Sequence, residues 1–111
     1  YYDVKKILKK GGIISVQSGS LSCQPKLVAL IKKRLESIFR FVSVRAAVVP
    51  SYQEGLFTFT MASDSDFLNV SYSALKNKFK KAKKMNLKYW SPDIAAASDV
   101  LPRYIKDFLA K

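Results

Sequence analysis

Apolar residues recur along this chain in two rhythms, and the change from one to the other marks its elements. From Tyr1 to Lys10, Tyr1, Val4, Ile7 and Leu8 fall on one face of a helix, with Lys5, Lys6, Lys9 and Lys10 opposite. Gly11-Gly12 ends that helix, because glycine takes the left-handed conformation without strain. The run Ile13-Ile14-Ser15-Val16-Gln17 is then apolar on both faces. That pattern predicts a central parallel strand with helices on each side. Ser18 to Gln24 reads as a polar loop. Pro25 suits the first turn of a second helix, in which Leu27, Leu30, Ile31, Leu35 and Ile38 follow at helical spacing.

The rhythm shortens to two over Phe41 to Val49 and again over Leu56 to Ala62, where Phe57, Phe59 and Met61 face one way and Thr58 and Thr60 the other. The link around Pro50 to Gly55 is too short for a crossover helix, so these two strands must run antiparallel. A polar loop over 64–69 precedes a helix over 73–85, with Leu75, Phe79 and Ala82 inward. Leu87 to Trp90 is short and extended. Ser91-Pro92-Asp93 opens a helical turn through Ala97. A last helix starts near Pro102 and carries the stripe Leu101, Tyr104, Ile105, Phe108 and Leu109. Helices flanking strands are the grammar of a doubly wound α/β sheet. Three strands would leave Ile13, Ile14 and Val16 poorly covered, and average sheets have about five or six strands. Residues 1–111 are therefore expected to form a single domain fragment, the C-terminal half of a larger α/β domain.

Composition narrows the chemistry. The 111 residues suffice for one domain. No apolar run approaches the ~20 residues that span a bilayer, and no signal peptide is readable at Tyr1. There is one cysteine, Cys23, and no histidine. This excludes an internal disulfide and histidine-activated nucleophiles, and it leaves a zinc site almost without ligands. The expected setting is reducing and cytoplasmic, with no metal and no membrane. The net charge of +12 raises the question of a polyanion. Lysine outnumbers arginine, however, and Lys76, Lys78, Lys80, Lys81, Lys83 and Lys84 cover every side of their helix except the apolar stripe. A nucleic-acid face concentrates its basic residues on one side. The reading favoured is a solvated surface, with nucleic acid not expected as a partner.

The candidate chemistry sits in Val-Val-Pro-Ser-Tyr-Gln-Glu-Gly-Leu-Phe, residues 48–57. A hairpin that ends in Tyr52 and Glu54 places a phenol and an acid where small polar residues suffice. The phenol can stack on a ligand or bond to an amine, or it can simply pack over the sheet edge. Gln17 ends the first strand, and ligands of open α/β sheets gather at the carboxyl ends of strands. Its amide donates and accepts at once, though a solvated loop residue fits that position equally well. Phe57 begins a strand and suits either core or site. No glycine-rich nucleotide loop is present.

Three segments together, residues 8–20, 48–63 and 89–109, resemble the C-terminal half of spermidine synthase and its polyamine aminopropyltransferase relatives. That family has a Gly-Gly turn, then a strand leading into Gln-Ser or Gln-Gly-Glu. Next comes Val-Pro-(Thr/Ser)-Tyr, with an apolar residue opening the final strand. A Tyr-Tyr-Asn-Pro-Glu-Ile-His motif, a Leu-Pro and a closing helix complete it. The pieces lie in order along residues 1–111.

The resemblance implies a methyltransferase-like, Rossmann-like doubly wound sheet that ends in an antiparallel hairpin followed by helices. It also implies transfer of the aminopropyl group of decarboxylated S-adenosylmethionine to an amine such as putrescine, giving spermidine and methylthioadenosine. Tyr52 would orient the acceptor amine. Gln17 would line the polyamine channel, and Phe57 would wall the methylene chain. No cofactor-binding residue is assigned here, and decarboxylated S-adenosylmethionine is a co-substrate. Homodimers or tetramers are expected, as in the family. The family's catalytic aspartate, in an Asp-Ser-x-Asp-Pro loop, and its glycine-rich nucleoside loop are not among these residues, so the fragment alone is expected to be inactive. Ala95 stands where the family has histidine, and Gln53 and Glu54 replace Pro-Ser or Pro-Gly. The alternative is a basic binding module without catalysis, or a catalytically dead relative.

Overall fold

The computed structural model describes residues 1–52, 56–82 and 85–110. Helix α1 (Tyr2–Ile7) leads to strand β1 (Ile14–Ser20), helix α2 (Pro25–Glu36), strand β2 (Phe41–Val48) and strand β3 (Leu56–Ser63). Helices α3 (Tyr72–Ala82), α4 (Pro92–Ala97) and α5 (Arg103–Leu109) follow. The sheet order is β1-β3-β2, and β3 is antiparallel to both neighbours. The hairpin expected of the last two strands is present, with Val48 opposite Leu56 and Phe41 opposite Ser63. β1 and β2 run the same way, joined across one face by α2, with β3 inserted between them.

On one edge β1 pairs with the antiparallel β3, and its other edge, where the expected parallel neighbour would lie, has no partner among the described residues. As expected of three strands alone, one face is thinly covered: Ile14 is buried, whereas Ile13, Ser15 and Gln17 are exposed. One expectation for β1 needs correction: the strand continues through Ser18-Gly19-Ser20, which reads as a loop from its polarity. A bulge between Gln17 and Gly19 accommodates Ser18, and the ladder resumes with Gly19 opposite Thr58. Gly19 takes φ +101°, a backbone position that a side chain strains.

Polarity misleads here because the buried hydroxyls satisfy one another. Thr60 N–H donates to Ser18 Oγ at 2.9 Å, and the two hydroxyls are in hydrogen-bond contact. Ser18 also donates to Val16 O. Thr58 donates to Gly19 O at 2.7 Å, and Ser63 to Gly12 O at 2.8 Å. A buried hydroxyl is costly only when left without a partner. Thr58 and Thr60 therefore turn toward α2, and Phe57, Phe59 and Met61 take the opposite, half-buried face.

The core lies between the sheet and α2. Ile14, Ile31, Leu35, Phe39 and Ala62 form one cluster, joined by Leu8, Val16, Ile38 and Val42. Leu21, Val28, Val44 and Ile105 form a second, which docks α5 through Leu101 and Leu109. On α2 the buried line is Val28, Ile31 and Leu35, while Leu27 and Leu30 of the expected stripe lie on its exposed flank. α1 is shorter than its pattern suggests. Leu8 leaves the helix in extended conformation to reach the core, and Ile7 remains 82% exposed.

Leu35 has no exposed surface and Leu30 is 46% exposed. Leu35→Ala is expected to lower stability by ~2–5 kcal/mol, the range for a large-to-small change in a packed core. Leu30→Ala should lower it by less than about 1 kcal/mol. Urea denaturation of the two variants checks the ordering.

Candidate functional site at the mouth of the hairpin

The site begins with the bulge. Without it, side chains would keep alternating strictly beyond Gln17. With it, Gln17 stays opposite Phe59 on the face away from α2, while Ser18 is drawn into the buried network. The next two positions return β1 to register with Thr58 and Phe57. Gln17, the last residue before the bulge, lies on the same side as the aromatic face of β3.

The turn after β2 supplies the second member. Tyr52 N–H donates to Val49 O at 3.0 Å, which curls the chain back over the sheet. The Tyr52 ring packs on Phe57, with centroids 4.6 Å apart and planes at 56°, and Phe57 meets Phe59 at 6.3 Å. Tilted aromatic pairs of this kind fix ring orientation. The carboxamide Nε2 of Gln17 donates to the Tyr52 phenol oxygen at 2.9 Å, across 35 residues of sequence. All three residues singled out from the sequence therefore meet. Tyr52 is 37% exposed and Gln17 is exposed, so the polar tips face solvent while Phe57 is half-buried beneath them. Glu54, with Gln53 and Gly55, lies outside the described residues, as do Lys83 and Lys84.

This arrangement has a definite chemical capacity. The phenol oxygen has a second lone pair, and the carboxamide Oε1 of Gln17 is also an acceptor. Two neutral acceptors side by side over an apolar ring suit an N–H-rich group on a methylene chain. Among the described residues no three Cys, Asp or Glu side chains converge to hold a metal.

Sequence reasoning missed a second group of residues that braces this face. α3 and α4 pack on each other and face it across a cleft, with the Phe79 and Trp90 rings 5.5 Å apart and tilted by 40°. The cleft is about 560 Å³ and is lined by Met61, Leu75, Trp90 and Arg45 among others. The Arg45 guanidinium bonds to Ala95 O at 3.3 Å and Ser98 Oγ at 3.2 Å, and pairs with Asp99 at 3.4 Å. Arg45 shares the face of Phe59, its partner across the ladder. Ser91 caps α4 by accepting from Ile94 N–H at 3.2 Å, with Pro92 in its first turn. The Tyr72 hydroxyl donates to Asp93 Oδ1 at 2.5 Å, which raises the phenol above its ordinary pKa. The period-two pattern of β2 marks Arg45 as a polar position but does not say what it bonds.

Comparison with known proteins now bears on the arrangement. Residues 1–73 match the family model of the spermine/spermidine synthase domain. The chain belongs to that family. It is 34% identical over 109 residues to the polyamine aminopropyltransferase of Thermoplasma volcanium, covering 98% of this chain and 36% of the relative. It is 33% identical over 111 residues to that of Klebsiella pneumoniae subsp. pneumoniae, covering 99% and 38%. Spermidine synthase from Thermotoga maritima superposes with a TM-score of 0.73 at 23% identity, over 89% of this chain and 34% of that one. A spermidine synthase solved with the transition-state analogue AdoDATO superposes equally well. The structures share the Rossmann-like α/β fold, and this synthase-domain chain spans a little over a third of the length of the relatives it matches.

Gly19 is the residue on which the bulge turns. Gly19→Ala forces a side chain into φ +101° and sets its Cβ 2.8 Å from Gln24 Oε1. The variant is expected to lose about 1–2 kcal/mol of stability from the backbone alone. The loss is measurable as a lowered denaturation midpoint.

Proposed function

We propose that these 111 residues are the C-terminal part of an aminopropyltransferase catalytic domain, and that Gln17, Tyr52 and Phe57 hold its acceptor amine. The observation that carries this reading is the 2.9 Å contact between the Gln17 carboxamide and the Tyr52 phenol above the Phe57 ring. The names and partial coverage of the relatives support it, as does the strand edge of β1 that has no partner among the described residues.

The reaction is a displacement at carbon. The lone pair of a neutral amine attacks the methylene carbon bound to the sulfonium of decarboxylated S-adenosylmethionine. The carbon–sulfur bond breaks, its electrons return to sulfur, and methylthioadenosine leaves as a neutral thioether. The new ammonium then gives up a proton. A free alkylamine, with a pKa near that of lysine at about 10.4, is almost wholly protonated at neutral pH. The enzyme must therefore hold the amine deprotonated and in line with the carbon.

Gln17 Oε1 and the Tyr52 oxygen can each accept one amine N–H. That leaves the nitrogen lone pair directed away from both acceptors. Phe57 packs against the methylenes, so acceptor length is read partly by an apolar wall. The proton-accepting carboxylate and the nucleoside-binding loop belong, in this proposal, to the remainder of the domain. An Asp-Ser-x-Asp-Pro loop upstream is the expected source of the acid. The full-length enzyme is proposed to act on a polyamine in the cytoplasm as a homodimer or homotetramer, with putrescine as the reference acceptor. These residues alone are proposed to be inactive.

Tyr52→Phe in the full-length protein removes one acceptor and keeps the ring. The nitrogen gains positive charge as it attacks, and hydrogen bonds to a charged partner contribute ~1.5–3 kcal/mol, so kcat/KM for putrescine should fall roughly 10- to 100-fold. Steady-state aminopropyl transfer measures this, and undiminished transfer would remove Tyr52 from the mechanism. Gln17→Leu should lower the same parameter and leave KM for decarboxylated S-adenosylmethionine within about twofold.

A further inference from the structure

Among the described residues β2 is an edge strand, so every second N–H along it points away from β3. Two of these outward donors are taken up by the segment that follows α3. Ala46 N–H donates to Ser98 O, and Val48 N–H donates to the Tyr89 hydroxyl at 2.9 Å. The Arg45 side chain grips the same segment at Ala95 O and Ser98 Oγ. Residues 89–99 thus form a strap along the free edge of the sheet, ending where β2 enters the turn. Tyr89 and Ser98 lie beyond the residues matched by the family model.

The position of the upper contact matters. Val48 is the last residue of β2 and pairs with Leu56, the first of β3. One residue on, Val49 O receives the Tyr52 N–H. The Tyr89 hydroxyl therefore fixes the base of the turn from outside the sheet, while Gln17 and Phe57 fix its tip from inside. Without the outer bond, the last residue of an edge strand is held by ladder bonds on one side only, and strand ends fray.

We infer that Tyr89 is a positioning residue for the acceptor-amine site: its hydroxyl, bonded to Val48 N–H, sets the height of the Tyr52 phenol over Phe57. The inference rests on the amine-acceptor reading above. A polar strap on an edge strand has a simpler use, which is to block strand addition by another chain. That use needs the edge covered but not Tyr52 held, and the two differ in their consequences.

The test is Tyr89→Phe in the full-length protein, alone and combined with Tyr52→Phe. The ring and its packing remain, and only the hydroxyl goes. Amide exchange at Val48 should quicken at least threefold. The kcat/KM for putrescine should fall roughly 3- to 10-fold, the loss of one neutral hydrogen bond, with KM for decarboxylated S-adenosylmethionine within about twofold. If Tyr89 acts through Tyr52, the double variant should be no worse than Tyr52→Phe by more than about twofold. Losses that multiply, equal damage to both substrates, or unchanged exchange at Val48 overturn the positioning role. Should the wild-type protein transfer to none of putrescine, cadaverine, agmatine or spermidine, the acceptor reading fails and the positioning role with it. Exchange at Val48 then still reports whether the clamp itself exists.

Discussion

The hydrogen-bonded contact between Ser18 and Thr60 is the constraint that anchors the strand end beneath the site. It lies on the buried face of the sheet, away from any ligand, and it locks the extra residue of the β1 bulge against β3. A one-residue slip in a strand moves every later side chain to the opposite face. The bulge performs such a slip once and in a fixed place, after Gln17. The hydroxyl pair makes any other register expensive, because it would leave two buried hydroxyls without partners. The hydroxyl pair thus pins β1 to β3 immediately after Gln17, which holds the strand end carrying the carboxamide opposite Phe59.

Much of this was legible in the chain, and the reasons for the rest are specific. The β2–β3 hairpin followed from a link too short for a crossover. The meeting of Gln17, Tyr52 and Phe57 followed from strand ends, a turn and a family resemblance. The pairing of β1 was not legible, because an apolar run such as Ile13-Ile14-Ser15-Val16 fits a parallel or antiparallel neighbour alike. Alternation along β3 separated Phe57, Phe59 and Met61 from Thr58 and Thr60 but could not say which set faces α2. The structure buries the threonines, since their hydroxyls have partners in Ser18 and Gly19 O. The strap was invisible because it is held mostly through backbone groups, with one phenol and the Arg45 side chain. Ser98 O and Val48 N–H exist at every position of every chain, and only the edge location of β2 makes them matter.

Charge raises a separate question. Lysine and arginine number 20 against 8 acids, and a polyamine acceptor is itself cationic. Gln17 and Tyr52 supply dipoles, and Phe57 supplies an apolar wall. They carry no negative charge to offset that balance. The described lysines of α3 are exposed, with Lys76 over the Tyr72 ring at 4.8 Å. Screening at physiological ionic strength weakens exposed charges beyond about 8 Å. A surface excess of lysine is therefore compatible with a cation site, provided that the acid placed against the amine is close and shielded. Under the proposed function that acid comes from the rest of the domain, which divides the labour: one part sets charge, and the hairpin sets orientation.

β3 carries this division physically. It is the last strand in sequence, yet it lies between the other two, and neither β1 nor β2 bonds to the other without it. Gln17 is on β1, Tyr52 follows β2, and Phe57, which supports the phenol, opens β3. The three can meet only when β3 has entered the gap and both ladders have closed. Closing such non-local pairs costs loop entropy before any contact compensates for it. A chain with β3 displaced would keep α2 against parts of β1 and β2 but would have no site at all. The strand that completes the sheet is thus the one that assembles the phenol, the carboxamide and the ring, so correct folding and a formed acceptor site are one structural event.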